Sequence, residues 1–134
     1  MIAPASFDNQ ALRELLREHA DELDGEDGFW HVRFMDRTLT VLTDESHDRM
    51  RIITPVIEAS EVDLELAIVL LHANFDRALD ARYALSGDYL WSAFIHPLSP
   101  MNGRLLLSAL RQVATLTENF GTTFSSGELT FGGR

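Results

Sequence analysis

The spacing of apolar residues changes repeatedly along this chain, and this change limits the folds that it can form. Apolar residues recur at helical spacing in residues 8–23, 62–79 and 99–119. They alternate with polar residues, as in half-buried strands, in residues 28–57 and 82–96. The predicted order is helix, three strands, helix, two strands, helix. This order clusters the strands into antiparallel meanders and predicts an α+β fold, α-β-β-β-α-β-β-α.

Turn residues divide the strand regions into elements. The turns are predicted at Asp36-Arg37 and at Ser86-Gly87-Asp88, and a polar loop follows the second strand. Pro55 lacks a backbone donor, so the end of the third strand is expected at an edge or a bulge. The resulting strands cover residues 28–34, 38–43, 49–57, 82–85 and 89–96.

Capping residues mark the helix ends. Asp8 is predicted to cap the first helix, and the cluster of acids and glycines at residues 24–28 is predicted to end it. Ser60 with Asp63 resembles a capping box before the second helix. Ser99 is predicted to cap the third helix, because Pro100 would then occupy its first turn.

The chain shows no linker and no internal repeat, so one domain is predicted over residues 1–134. Residues 121–134 are rich in turn formers and are predicted to be a tail with one short strand. The 134 residues suffice for one hydrophobic core without staples.

The charge balance argues against several classes of partner. Eleven basic residues, all arginine, stand against 21 acids, for a net charge of −10. This charge disfavours nucleic acid and anionic membranes. The longest apolar run, Ala67 to Leu71, is too short to span a bilayer, and the first ten residues do not resemble a signal peptide. A cytoplasmic location and a polypeptide partner are therefore expected.

The residues that usually carry chemistry do not form a known catalytic pattern. The chain has no cysteine, no two of its five histidines lie four residues apart, and no Gly-x-Ser-x-Gly motif occurs. We therefore predict a protein that is not an enzyme and needs no cofactor or metal. The alternative is a ligand-sensing or metal-dependent regulatory domain that uses His47 with Asp44, Glu45 or Asp48.

The second helix is apolar on more than one face, which requires cover on two sides. One line carries Leu64, Ile68, Leu71 and Phe75, and another carries Leu66, Val69, Leu70 and Ala73. Association of two copies about a two-fold axis is the commonest solution, and the tail folding over the helix is the alternative. The candidate dimer interface comprises the second line and two residues of the last hairpin: Leu66, Val69, Leu70, Ala73, Leu90 and Phe94.

Large aromatic residues on the first predicted strand have two interpretations. Trp30 and Phe34 share one face of this strand with Val32. Aromatic residues are enriched at the centres of protein contacts, but they are also ordinary core residues. Trp30, Val32 and Phe34 are therefore candidate client-binding residues as well as candidate core residues.

Residues 70–116 resemble the type III secretion chaperone-like superfamily, including its YbjN-like proteins. The resemblance lies in Leu71, Asn74, Phe75 and Ala78 of the second helix, and it continues through both strands of the hairpin into the third helix. It implies a small acidic homodimer in the cytoplasm, without catalytic residues. In secretion chaperones such a dimer holds an extended segment of a client protein. The resemblance thus favours a non-catalytic, protein-binding or chaperone-like homodimer.

Overall fold

A computed structural model describes residues 7–76 and 78–120, which form one six-stranded antiparallel sheet, three α-helices and one 3-10 turn. The predicted tail and its short strand lie outside the described residues. The elements in chain order are α1 Asn9–His19, β1 Glu22–Glu26, β2 Phe29–Phe34, β3 Arg37–Asp44, β4 Arg49–Glu58, the 3-10 turn Ala59–Glu61, α2 Leu64–Asp76, β5 Arg82–Ser86, β6 Tyr89–His96 and α3 Gly103–Asn119. The strand order in the sheet is β1-β2-β3-β4-β6-β5.

The predicted α+β class and antiparallel sheet are confirmed, with one additional strand. The acid-rich cluster was expected to end the first helix, but α1 ends at His19 and Glu22–Glu26 form edge strand β1. Two acids of β1 lie opposite basic or titratable residues of β2, Glu22 opposite Arg33 and Asp24 opposite His31. Gly25 permits the pairing, since a β-carbon there would lie 2.3 Å from the carbonyl oxygen of Phe29.

The turns and the bulge follow from local chemistry. The β2–β3 turn is centred on Met35 and Asp36, both with positive φ, one residue before the predicted position. The β5–β6 hairpin is confirmed, and Gly87 supplies the positive φ at its first turn position. The end of the third strand was expected at an edge or a bulge; the register between β4 and β6 shifts between Pro55 and Ile57, so it is a bulge.

Two of the predicted helix caps are wrong. α3 begins at Gly103, with Asn102 as its N-cap, because the Asn102 side chain accepts a hydrogen bond from the Leu105 amide at 2.9 Å. Ser99 instead donates to the carboxylate of Asp48 through its amide and its hydroxyl, both at 2.7 Å. The start of α2 is capped by Asp63, which accepts from the Leu66 amide at 2.8 Å, whereas Ser60 lies in the 3-10 turn.

All three helices cover one face of the sheet, and the buried residues form two clusters. The larger cluster lies between α1, α3 and strands β2 to β4, and it includes Trp30, Ile52 and Leu110. The smaller cluster lies where α2 packs on β5 and β6, and its buried members are Val69, Leu70, Ala73, Tyr83 and Leu90. The opposite face of the sheet has no helix over it in the described part of the chain.

Candidate protein-interaction surfaces

Helix α2 presents one apolar line to the protein and another to solvent. Val69, Leu70 and Ala73 are buried against the sheet. The other line, which we call the α2 face, is largely exposed: Leu64 by 77%, Ile68 by 48%, Leu71 by 69% and Phe75 by 90%. Both lines were expected to need cover. Among the described residues, the sheet covers the line of Val69, Leu70 and Ala73.

The predicted dimer-interface residues therefore lie on the wrong side of α2. Val69, Leu70 and Ala73 are core residues of one protomer, and Leu66 is half-buried beside them. The two hairpin candidates, Leu90 and Phe94, are also buried, because the even-numbered residues of β6 point towards the helices. The period of the helix predicted both lines, but only packing decided which of them faces inward.

Asn74 holds α2 in this orientation. Its side-chain amide donates to the Tyr83 carbonyl at 2.9 Å, and its side-chain oxygen accepts from the Tyr83 amide at 2.8 Å. These two bonds pair with the outer backbone groups of edge strand β5, as an additional strand would. Tyr83 also donates its hydroxyl to the Leu116 carbonyl at 2.7 Å, and burial raises the pKa of this hydroxyl. The rotation of α2, and hence the exposure of the α2 face, depends on this contact.

The role of Asn74 was not predicted from the sequence. Asn74 is one of the residues that carry the family resemblance, but the sequence assigned it no contact. One signal could have indicated it, since asparagine is a poor helix former in the middle of an apolar helix. Such a residue is expected to use its side chain in a specific hydrogen bond.

The three candidate client-binding residues are core residues. Trp30, Val32 and Phe34 are buried in the larger cluster, under the helices. The expectation that they form a client surface is therefore corrected. The positions of β2 that point away from the helices are the alternating ones: Phe29 and His31 are exposed, and Arg33 is half-buried.

The His47 loop is organised around Asp44. The Asp44 carboxylate accepts hydrogen bonds from the Ser46 hydroxyl at 2.7 Å and from the His47 amide at 3.2 Å, and it lies 2.7 Å from the His47 Nδ1 atom. The bonds from Ser46 and His47 lower the pKa of Asp44 to about 2. This arrangement builds a turn at the surface. Among residues 7–76 and 78–120, no three histidine, aspartate or glutamate side chains converge as metal ligands.

Asp48 has a structural role that the sequence did not indicate. Its backbone adopts a positive φ of 55°, and its carboxylate binds Ser99 as described above. These bonds from Ser99 lower the pKa of the Asp48 carboxyl. The β3–β4 turn is thereby tied to the connection between β6 and α3. Use of His47 and its acidic neighbours for ligand sensing stays a prediction.

The similarity of this chain to known proteins is a similarity of structure. No family model matches the chain, and no curated protein matches it. No helix in the described part of the chain has the length and hydropathy needed to span a membrane.

Three solved structures are similar to this chain over most of its length. A chain of the ExsC–ExsE complex superposes with a TM-score of 0.62 at 12% identity, covering 82% of this chain and 90% of that one. The type III secretion chaperone SycH of Yersinia pestis, in complex with a fragment of YscM2, gives 0.61 at 15% identity, with coverages of 84% and 98%. The HopA1–SchA chaperone–effector complex gives 0.60 at 12% identity, with coverages of 80% and 87%. This chain therefore has the α+β fold of the type III secretion chaperones.

Proposed function

We propose that this protein is a non-catalytic, chaperone-like module that binds other proteins and acts as a homodimer through its α2 face. The observation that carries the proposal is the row Leu64, Ile68, Leu71 and Phe75, which is exposed although it lies on an ordered, apolar helix. Contiguous apolar surface of this kind is typical of protein contacts. A second copy of the chain is the occupant that we propose for it.

The size of the row is sufficient for association. Burying one large apolar side chain contributes about 1.5–3 kcal/mol, while association costs about 4–15 kcal/mol in lost freedom. One exposed leucine does not offset this cost. Two rows of four side chains, one from each protomer, can offset it.

The distribution of charge favours the α2 face over charged surfaces for contact between two copies. Two copies that each carry a net charge of −10 repel one another. None of the four residues of the α2 face is charged. The titratable residues Glu65, His72 and Asp76 lie together on one flank of the helix. A two-fold contact can leave them at a hydrated rim.

Binding of a client protein is supported by the similar structures. Each of the three is a complex between a protein of this fold and a protein partner, and one is described as a chaperone with its effector. The fold therefore suits protein recognition. The resemblance to the YbjN-like branch stays a prediction.

Sedimentation velocity tests the homodimer. We expect the wild-type protein to sediment as a dimer and Leu71→Asp to sediment as a monomer, because the variant would place a carboxylate in an apolar contact. The matched control is Met35→Asp, which adds the same charge to an exposed apolar position on the β2–β3 turn, remote from α2 in the strand order. It should remain dimeric.

Two outcomes would contradict a homodimer that forms through the α2 face. A wild-type protein that stays monomeric at high micromolar concentration is one of them. Equal dissociation of Leu71→Asp and Met35→Asp is the other. Far-UV circular dichroism of both variants should match the wild type, since neither side chain is buried in the protomer.

A further inference from the structure

The face of the sheet opposite the helices, which we call the open face, has an apolar centre. Phe29 is exposed by 48% and Ile95 by 51%. The register places four residues in one row across adjacent strands, Phe29 opposite Leu42, Leu42 opposite Arg51, and Arg51 opposite Ile95. Directly opposed side chains of neighbouring strands lie about 5 Å apart. A guanidinium group thus lies within an exposed apolar row.

A second, more polar row runs beside the first. His31 lies opposite Thr40, Thr40 opposite Ile53, Ile53 opposite Ala93, and Ala93 opposite Arg82. Both rows therefore combine apolar side chains with an arginine. Apolar surface next to a guanidinium is a frequent composition at the centres of protein interfaces.

The charged residues of the open face are unevenly distributed. Four of the eleven arginines in a chain of net charge −10 lie on it: Arg33, Arg49, Arg51 and Arg82. Its acids lie on edge strand β1 and at strand ends, such as Asp44 and Glu58. Charge is thus divided on this face, with a basic centre and an acidic border.

Two of these arginines lie opposite an acid in the sheet register, Arg33 opposite Glu22 and Arg49 opposite Asp44. The other two lie opposite uncharged residues, Arg51 opposite Leu42 and Ile95, and Arg82 opposite Ala93. In the described part of the chain, no carboxylate lies within 4 Å of any of the four guanidinium groups. Arg33 donates to the Thr38 hydroxyl at 3.3 Å, and Arg82 donates to the carbonyls of Leu79 and Ala81. Beside Arg49 and Arg51, the surface has a shallow depression of 440 Å³ that Leu42 also lines.

We propose that the open face binds an extended segment of a partner polypeptide in which acidic residues are interspersed with apolar ones. The apolar side chains would contact Phe29, Leu42 and Ile95, and the carboxylates would pair with Arg51 and Arg82. Arginine binds carboxylates with two parallel hydrogen bonds, which gives both energy and orientation. This inference rests on the proposed protein-binding function and names the chemistry of the partner.

The observations favour a polypeptide over nucleic acid. Single-stranded nucleic acid carries a charge on every nucleotide, and a chain of net charge −10 repels such a polymer as a whole. A segment with a few carboxylates between apolar residues bears less charge. It also uses the apolar rows, which a phosphate backbone does not.

Fluorescence anisotropy with a defined peptide tests the proposal. The probe is a fluorescein-labelled twelve-residue peptide made of Ser-Glu-Leu repeats, and the matched peptide has glutamine in place of glutamate. We expect saturable binding of the first peptide to the full chain, with the second at least ten-fold weaker. Binding should also weaken as salt increases, because exposed ion pairs are screened.

Two double variants locate the binding surface. Arg51→Glu with Arg82→Glu should weaken binding of the acidic peptide at least ten-fold. The control is Arg104→Glu with Arg111→Glu, an equal charge change in the groove between α3 and the segment that follows α2. It should change the affinity less than two-fold. All four arginines are exposed, so the variants should fold as the wild type does.

Several results would overturn the proposal. They are the absence of saturable binding, equal binding of the glutamine peptide, and an equal loss in the two double variants. Tighter binding of a labelled single-stranded DNA would identify nucleic acid as the occupant. Conversion of the dimer to a monomer by Arg51→Glu with Arg82→Glu would identify a second copy of the chain.

Failure of this inference can be told apart from failure of the proposed function. A dimer that sediments normally but binds no acidic peptide overturns the inference alone. If Leu71→Asp is monomeric and still binds the peptide, the open face acts independently of the α2 face.

Discussion

The two hydrophobic clusters of this protein are closed to different degrees. In the larger cluster, α1 and α3 pack on β2 to β4, and residues such as Leu16, Ile52 and Leu110 are completely buried. In the smaller cluster, α2 buries Val69, Leu70 and Ala73 but leaves its opposite side in solvent. Helix α3 is amphipathic, and its apolar side packs in the core. Helix α2 is apolar nearly all round.

One small fold can thus combine stability with recognition. A core that is covered on all sides stabilises the protomer. A helix with a second apolar side adds little to protomer stability through that side, and it remains available for a partner. This difference between the covered core and the half-covered helix can be tested by substitution.

The two clusters should respond differently to the same truncation. Leu110→Ala removes a completely buried side chain between α3 and the sheet, and we expect a loss of about 3–5 kcal/mol in the free energy of unfolding. Leu70→Ala should cost about 2–3 kcal/mol, because α2 is free on one side and can move to reduce the cavity. Urea unfolding curves measure both values. A larger loss for Leu70→Ala would contradict the comparison.

Removing the Asn74 side chain should loosen the smaller cluster alone. Asn74→Ala removes both hydrogen bonds between the Asn74 side chain and the Tyr83 backbone, and we expect a cost of about 1–3 kcal/mol. Hydrogen exchange should accelerate at the amides of β5 while those of β2 and β3 stay protected. Uniform acceleration over the whole sheet would show that the two clusters unfold as one unit.

The Asp48–Ser99 contact should make stability depend on pH within the larger cluster. In the folded protein the pKa of the Asp48 carboxyl is lowered from the ordinary value of 3.8. The contribution of this carboxylate to the free energy of unfolding is therefore present above about pH 4 and is lost as the pH falls below that value. Asp48→Asn should therefore be less stable than the wild type at pH 7. The difference should shrink in acid, as measured by thermal unfolding between pH 7 and pH 2. If the difference in stability between the two proteins did not change with pH, the contact would have no electrostatic role.

The smallest effect on the protomer is expected on the α2 face. Phe75→Ser removes a side chain that is almost fully exposed, and it should change protomer stability by less than about 0.5 kcal/mol. Dimer formation, however, makes the Tm depend on protein concentration. We expect this dependence in the wild type and its loss in Phe75→Ser. The same dependence in both proteins would remove Phe75 from the interface.

Much of the fold could be predicted because it depends on local patterns. Alternation of apolar and polar residues indicated β2, β3, β4 and the β5–β6 hairpin, and Pro55 indicated the bulge. Strand β1 was missed because its residues are acidic and its formation depends on pairing with β2. The cap of α3 was missed because Ser99 binds Asp48, a partner 51 positions away.

The candidate surfaces were predicted less well, for a related reason. The two apolar lines of α2 could be identified by counting residues along a helix. The residue pattern alone also established the α+β class and the acidic charge. Which line faces the sheet was decided by the tertiary structure, through the bonds between Asn74 and Tyr83. In the same way, the alternation in β2 determined that Trp30 and Phe29 point to opposite sides, and only the position of the helices placed Trp30 in the core. Periodicity is a property of neighbouring residues, whereas the choice between inside and outside depends on contacts between segments far apart in the chain.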